Sequence, residues 1–266
     1  FNKKFDSGKP HELLICYKLL SNEKLYNFRN LLSNIAHTEF IDKYKPKDIV
    51  HCAGQPSHDY AARIPIRDFN INALSTLYLM EAVRKFTKNS SVVFFSTNKV
   101  YGDNPNKLKL NEKKLRYEFK ETKYKNGIRE NFNVDNCTHS LFGVSKLSAD
   151  LIVQEYGRYF DIKSCCLRGG CLTGPNQSGV ELHGFLNYLI KCNLNQKFYT
   201  IFGYKGKQVR DNIHSYDVAK FVEFFLEKPR IAEVYNLGGG KKNSISILEA
   251  FKLVESITAK KMNFKY

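Results

Sequence analysis

Short apolar runs alternate with longer stretches whose apolar side chains recur at helical spacing, the rhythm of strands alternating with helices. Pro46 and Asp48 punctuate the chain before Ile49-Val50-His51-Cys52-Ala53-Gly54, which reads as a short buried strand running into a glycine turn. The pattern predicts further strands over 24–28, 91–96, 162–168, 198–202 and 233–237. Helices are expected over 11–20, 29–44, 66–88, 140–160, 184–192, 216–227 and 246–256. Residues 104–140 are polar and rich in Lys and Asn, and read as a long excursion over the surface. The alternation implies an α/β fold with a parallel sheet covered by helices on both faces. Ligands in such sheets lie at the C-terminal ends of the strands, where the turns after Cys52, Ser96 and Arg168 fall.

Composition narrows the class. The 266 residues, with 42% hydrophobic and 14% aromatic content, suffice for a buried core. No apolar run approaches a membrane span and the first residues lack the apolar stretch of a signal peptide. Seven Cys without C-x-x-C pairing, an odd count, suggest reduced thiols and a cytoplasmic protein. The formal net charge of +16 invites a nucleic-acid reading. The lysines are scattered and no nucleic-acid motif is present, so no nucleic-acid partner is expected. A solvated Lys-rich surface, or a field that steers a dianionic nucleotide-diphosphate sugar, accounts for the same charge.

Candidate chemistry centres on residues 137–151, CTHSLFGVSKLSADL. Phe142 and Lys146 are four apart and share one face of a helix. Upstream, the strand over 91–96 delivers the hydroxyls of Ser96 and Thr97 at its C-terminal end. A hydroxyl, an aromatic and a lysine in this order resemble the working set of the extended short-chain dehydrogenase/reductases, the NAD-dependent sugar-nucleotide epimerases and dehydratases. Further pieces carry the resemblance: His51-Cys52-Ala53-Gly54-Gln55, Asn72 in NINALST, Ser96-Thr97-Asn98-Lys99-Val100-Tyr101-Gly102, and Gln208-Val209-Arg210-Asp211-Asn212-Ile213-His214. It runs from about residue 25 to the end. The STNKVYGD wording and the RGGCLTGP turn followed by HGFLNYL look most like the branch of 2-epimerases acting on CDP-paratose and CDP-tyvelose.

The resemblance implies a Rossmann-like core over 1–168. It also implies a smaller, mainly substrate-binding lobe over 169–266, interleaved with late core elements at about 208–240. It assigns Thr97, Phe142 and Lys146 to catalysis. Asn27, Ala53, Gln55, Asn72, Ser96, Lys146, Gly169 and Gly170 are expected at NAD. Asn98, Lys99, Cys171, Asn176, His183 and Arg210 are expected at a nucleotide-diphosphate sugar, with a CDP-sugar favoured. No metal and no membrane partner are implied, and a homodimer is left open. Read without the resemblance, Lys146 is a solvated charge, Thr97 a strand end, Arg210 a surface partner of Asp211, and Cys171 and His183 packing residues.

Two departures shape the expectations. The family's catalytic aromatic is a Tyr; Phe142 has no hydroxyl to take or return a proton, so Tyr101, or a water held by Thr97 and Lys146, is the expected substitute. No glycine-rich strand–turn–helix fingerprint precedes residue 25. The first βαβ unit is therefore expected to be missing and NAD to bind weakly to this chain alone. The expected function is oxidation, rotation and re-reduction of a nucleotide-linked sugar. The alternatives are a non-catalytic sugar-nucleotide-binding or scaffold protein, and a 4,6-dehydratase or 4-epimerase.

Overall fold

The structure, a computed structural model, describes residues 13–16 and 34–266 apart from 178, 182 and 183, with side chains from residue 38 onward. Expectations for 24–28, for Asn27 and His183, and for a glycine loop ahead of residue 25 lie wholly or largely outside the described residues. The chain forms two compact units. One comprises residues 1–104, 133–168 and 222–236, the other 105–132, 169–221 and 237–266.

The first unit is built on strands β1 (Leu13–Cys16), β2 (Asp48–His51), β3 (Ser91–Thr97), β6 (Ser164–Gly169) and β10 (Glu233–Leu237). They line up as β1-β2-β3-β6-β10, with β1–β2 and β2–β3 paired in parallel. Among the described strands the order does not reverse, and each later one is added on the same side. β1 corrects the expected helix over 11–20: Leu-Leu-Ile-Cys pairs with Asp48–His51, and sheet pairing overrides the helical spacing of the sequence.

Three helices, α1 (Asn34–Tyr44), α4 (Ser75–Phe86) and α5 (Ser140–Phe160), pack side by side. Their core joins Ile41, Leu79, Met80, Val83, Ala149 and Val153 to Ile49, Val92, Phe94 and Cys166 of the strands. Strand side chains alternate between faces, so Val50, Val93, Cys165 and Leu167 project the other way, and they too are buried. The sheet is covered on both faces, as its uninterrupted apolar runs require. Burial pushes both strand thiols, Cys165 and Cys166, up from the ordinary cysteine range.

The expected helix over 66–88 is interrupted. α2 (His58–Arg63) is capped by Ser57, whose side chain accepts from the Tyr60 N–H. α3 (Pro65–Phe69) starts with Pro at the first turn, Asn70–Leu74 forms a π-turn, and α4 resumes at Ser75. α5 buries Phe142, Lys146, Ala149, Asp150, Val153 and Gly157 along one stripe and ends at Asp161 in the left-handed region.

The second unit holds a three-stranded sheet, β11 (Ser244–Ser246), β9 (Val209–His214) and β7 (Cys171–Thr173). Its core packs Leu189 and Cys192 of α6 (Phe185–Leu194) against Ile247, Ala250, Phe251 and Val254 of α8 (Ile247–Thr258). α8 carries a reciprocal cap between Ser246 and Glu249. β7 lies in the stretch read as a turn, and β9 in a segment to which the sequence pattern assigns no strand. The 104–140 excursion contains a hairpin, β4 (Leu110–Glu112) with β5 (Tyr117–Phe119). It is tied down where Arg116 donates to Ser244 Oγ at 2.7 Å and pairs with Glu249 at 3.4 Å. β8 (Tyr199–Thr200) and β12 (Phe264–Lys265) pair in parallel, and α7 (Ser215–Glu227) contains the unit boundary.

Candidate functional site

The turn after β2 is fixed by polar contacts that reach two other elements. Gln55 N–H donates to Asn72 Oδ1 at 2.8 Å, and Asn72 Nδ2 donates to Gln55 O at 3.2 Å and Ser145 Oγ at 3.0 Å. Gln55 Nε2 and the Ser145 hydroxyl donate to the two carboxylate oxygens of Asp68, at 2.7 and 2.6 Å. Asp68, Asn72 and Ser145 are buried, so each depends on these partners. The cluster locks the β2 turn, the π-turn and α5 together. Gly54 belongs to it: a Cβ there meets Asn72 Oδ1 at 3.1 Å and Lys146 Nζ at 3.9 Å.

Lys146 is 7% exposed and its ammonium donates to the Phe95 carbonyl at 2.7 Å, over the Phe94 ring at 4.1 Å. Burial lowers its pKa to about 8, opposed by the attraction of Asp150. The ammonium has three donors, of which the Phe95 carbonyl takes one. The adjoining hydroxyls divide the labour. Ser96 Oγ donates to Asp150 Oδ2 at 2.5 Å, whereas half-buried Thr97 accepts the Lys99 N–H at 3.3 Å and caps the 3₁₀ turn Asn98–Tyr101. Asn98 and Lys99 are exposed on that turn. A Cβ on Gly143 stands 3.2 Å from the Lys99 carbonyl, which places the turn against the first turn of α5.

Beneath this surface lies a buried ion pair that the sequence reading missed. Arg168 Nη2 and Nε donate to Asp150 Oδ1 and Oδ2 at 2.9 and 3.1 Å, and Nη1 donates to the Tyr101 hydroxyl at 2.9 Å. Burial acts to lower the guanidinium pKa, but the Asp150 contacts outweigh it and hold the pKa above the ordinary arginine range. Tyr101 is 1% exposed and donates to Asn236 Oδ1 at 2.7 Å. Tyr101 is thereby corrected as a substitute acid, because its hydroxyl is sealed inside the network. An Asp on the apolar stripe of α5, one turn after Lys146, was the available signal.

Phe142 is buried, and the imidazole of His58 lies against its ring with centroids 4.8 Å apart and planes at 59°. His58 Nδ1 is 3.0 Å from Ser140 Oγ, which also accepts the Gly143 N–H at 3.2 Å. Ser140 opens α5 with φ of 63°, a conformation L residues rarely adopt.

Thus Ala53, Gln55, Asn72, Ser96, Thr97, Asn98, Lys99, Phe142 and Lys146 all belong to the first unit. Gly169, Gly170, Cys171, Asn176 and Arg210 belong to the second. There, Gly170 N–H donates to Leu237 O at 3.0 Å, and a Cβ on it meets the Asp211 carbonyl at 3.2 Å. Cys171 pairs in register with Asn212, and Asn176 is exposed on a turn. Exposed Arg210 donates to the Val209 carbonyl rather than to Asp211. The Asp211 carboxyl lies against Gly238, desolvation raises its pKa, and the Gly239 and Gly240 N–H groups act to lower it. The second unit also holds a cavity of about 390 Å³, lined in part by Thr173, Asn212, His214, Asp217 and Lys242. Among the described residues no group of three metal-ligating side chains occurs, and no helix is long and apolar enough to cross a membrane.

The family model for NAD dependent epimerases and dehydratases matches residues 7–238. The CDP-paratose 2-epimerase of Salmonella typhi is 35% identical over 237 residues, covering 85% of this chain and 68% of that protein. A dTDP-glucose 4,6-dehydratase of Salmonella typhimurium is 24% identical, covering 92% and 67%. The UDP-glucuronic acid 4-epimerase of Bacillus cereus, solved with UDP-glucuronic acid and NAD, superposes with a TM-score of 0.67 at 26% identity, covering 86% of this chain and 64% of that one. With strand order, the Thr97 turn and the Lys146 helix arranged as described, the chain belongs to the NAD dependent epimerase/dehydratase family.

Proposed function

We propose that this chain is an NAD-dependent epimerase of a nucleotide-linked sugar, of the 2-epimerase type and with a CDP-sugar as substrate. The observation that carries the reading is the buried Lys146 ammonium, held on the Phe95 carbonyl two residues before Thr97 with donor capacity to spare. The 35% identity to a CDP-paratose 2-epimerase supports the choice among sugar nucleotides.

The residues present fit the ribose end of a nicotinamide cofactor. A Cβ at Gly54 crowds Asn72 Oδ1 and comes into contact with Lys146 Nζ, so the glycine leaves backbone surface beside an ammonium suited to a ribose diol. In this reading Ala53, Gln55, Asn72, Ser96 and Lys146, with Gly169 and Gly170, hold NAD. When bound, NAD supplies the hydride chemistry of the reaction. Thr97 positions the reacting sugar hydroxyl. Asn98, Lys99, Cys171, Asn176 and Arg210 hold the rest of the substrate, Arg210 by a guanidinium matched to a diphosphate. In this reading residues 1–168 form the cofactor-binding core, which also carries Thr97, Asn98 and Lys99, and residues 169–266 form mainly the substrate-binding lobe.

The test uses the full chain with added NAD and CDP-sugars deuterated at C2 or at C4, followed by NMR. Inversion at C2 is expected. Inversion at C4 favours the 4-epimerase alternative. Phe142 favours one other reading, a sugar-nucleotide-binding protein without turnover, for which calorimetric binding with no inversion is the signature.

A further inference from the structure

We infer that Asp150 is the positioning residue of this site: its buried carboxylate clamps both ends of the segment that carries Thr97, Asn98 and Lys99, and supplies the counter-charge of the Lys146 ammonium. The inference rests on the reading above, in which Lys146 holds the nicotinamide ribose and Thr97 the sugar hydroxyl.

The near end of the segment is held directly. Ser96 Oγ donates to Asp150 Oδ2 at 2.5 Å, and Ser96 stands between Phe95, whose carbonyl receives Lys146 Nζ, and Thr97. The far end is held through Arg168. Its Nη2 and Nε donate to the two carboxylate oxygens at 2.9 and 3.1 Å, and its Nη1 donates to the Tyr101 hydroxyl at 2.9 Å. The same guanidinium lies 5.1 Å from the centre of the Tyr101 ring, and Tyr101 closes the 3₁₀ turn that Thr97 caps. Gln154 Nε2 adds a bond to Asp150 Oδ1 at 2.6 Å. Accepting from Ser96, from Gln154 and twice from Arg168, the carboxylate uses its whole acceptor capacity. A fully buried group bonded in this way cannot turn without breaking several bonds at once. The exposed Asn98 and Lys99 are thus presented from a frame fixed at both ends.

Asp150 also lies one helical turn after Lys146 on the buried stripe of α5. Burial opposes the charge on Lys146, and among the titratable groups that act on the ammonium Asp150 offsets this most. The others are Cys166 of β6, Cys52 after β2 and Asp68 of α3. Burial pushes the Cys166 thiol well above the ordinary range, so it carries no charge near neutrality. The Asp68 carboxylate is engaged by Gln55 Nε2 and the Ser145 hydroxyl. One carboxylate therefore serves both halves of the site, the hydroxyl-bearing segment and the ammonium.

The experiment follows the Lys146 Cε signal by NMR in the full chain labelled with ¹³C-lysine, the signal being identified by its loss in Lys146→Met. In the parent it is expected to titrate near pH 8. Asp150→Asn keeps an acceptor but loses the charge, and its midpoint should fall by about one pH unit or more. Asp150→Leu/Arg168→Met leaves neither charge of the pair, so it stands in where the first variant does not fold, and should shift the same way. Loosening of the fold would act in reverse, because water around the ammonium returns it toward 10.5. A midpoint unmoved or raised overturns the counter-charge role. In the double variant, exchange of the Lys99 and Gly102 amides, bonded to Thr97 Oγ1 and the Lys99 carbonyl, should quicken about 10-fold or more relative to the amides of α4. Equal protection overturns the clamp. With NAD and a CDP-sugar that the parent turns over, Asp150→Asn should raise the KM for NAD about 5-fold or more at pH 8.5 and less than about 2-fold at pH 6.5, where Lys146 stays charged. An equal rise at both pH values overturns the assignment. A parent that turns over no sugar nucleotide counts against the epimerase reading alone, and the midpoints and amide exchange then decide the place of Asp150.

Discussion

The Lys146 ammonium donates to the carbonyl oxygen of Phe95 at 2.7 Å, which joins α5 to the end of β3 through a buried charge. Burial brings the pKa of Lys146 from 10.5 to about 8. The folded-state value is depressed, so between pH 8 and 10.5 the unfolded chain binds the additional proton and stability rises with pH across that window. The cost of carrying the charge at pH 7 is about 3 kcal/mol at most. Lys146→Met should flatten this rise: urea unfolding of parent and variant at pH 7, 8.5 and 10 is expected to show a gap that changes with pH. A gap constant across the series contradicts it.

Asp150 and Arg168 form a buried ion pair, with side chains 0% and 5% exposed. Asp150→Leu leaves a guanidinium buried without its carboxylate and is expected to cost roughly 3–5 kcal/mol. The double variant Asp150→Leu/Arg168→Met removes both charges and should be more stable than that single variant. A double variant no more stable than Asp150→Leu in denaturant unfolding would contradict this.

Gly157 lies on the buried stripe of α5, where a Cβ meets Ala232 Cβ at 2.9 Å and Cα at 3.1 Å. Helix propensity favours Ala over Gly by about 1 kcal/mol, but the contact is with backbone and a side chain that cannot swing away. Gly157→Ala is therefore expected to lower Tm. A raised Tm would mean that the helix shifts without penalty.

Neighbouring hydroxyls should part company when removed. Ser96→Ala deprives buried Asp150 of a donor and should lower stability by about 1–3 kcal/mol. Thr97→Val leaves the core untouched and should lower kcat by 10-fold or more on a substrate the parent turns over, with Thr97→Ser close to parent. Thermal unfolding and initial rates on the same samples separate the two effects.

Much of the first unit was legible because its signals are periodic. The stripe Phe142, Lys146, Ala149, Asp150 and Val153 marks α5 from Ser140 to Phe160, and the apolar runs at Ile49 and Val92 mark β2 and β3. Leu13–Cys16 was misread because an apolar tetrapeptide fits a helix face as well as a sheet edge, and only its pairing with Asp48–His51 decides. β9 carries Arg210, Asp211 and Asn212, so its ladder with β7 and β11 leaves no apolar signature. Tyr101 was expected as a substitute proton donor because it follows Thr97 in the turn, yet its ring is in the core and its hydroxyl meets Arg168. His58 is one polar residue in a polar stretch, and its ring contact with Phe142 is a product of tertiary structure.

The π-turn at Asn70–Leu74 has a bearing on how this site tolerates change in chain length. Asn72 sits in its middle, buried, bonded to Gln55 and Ser145. A π-turn is a helix that has absorbed one residue more than its pitch requires. Deleting a residue there would give α3 and α4 a continuous α-helical ladder, a gain in regularity, while rotating one side of the helix by about 100° relative to the other. Asn72 could not then keep faith with both Gln55 and α4. The surplus residue thus works as a phase-setter, and at this point in the chain a shorter, straighter helix would be the defective one.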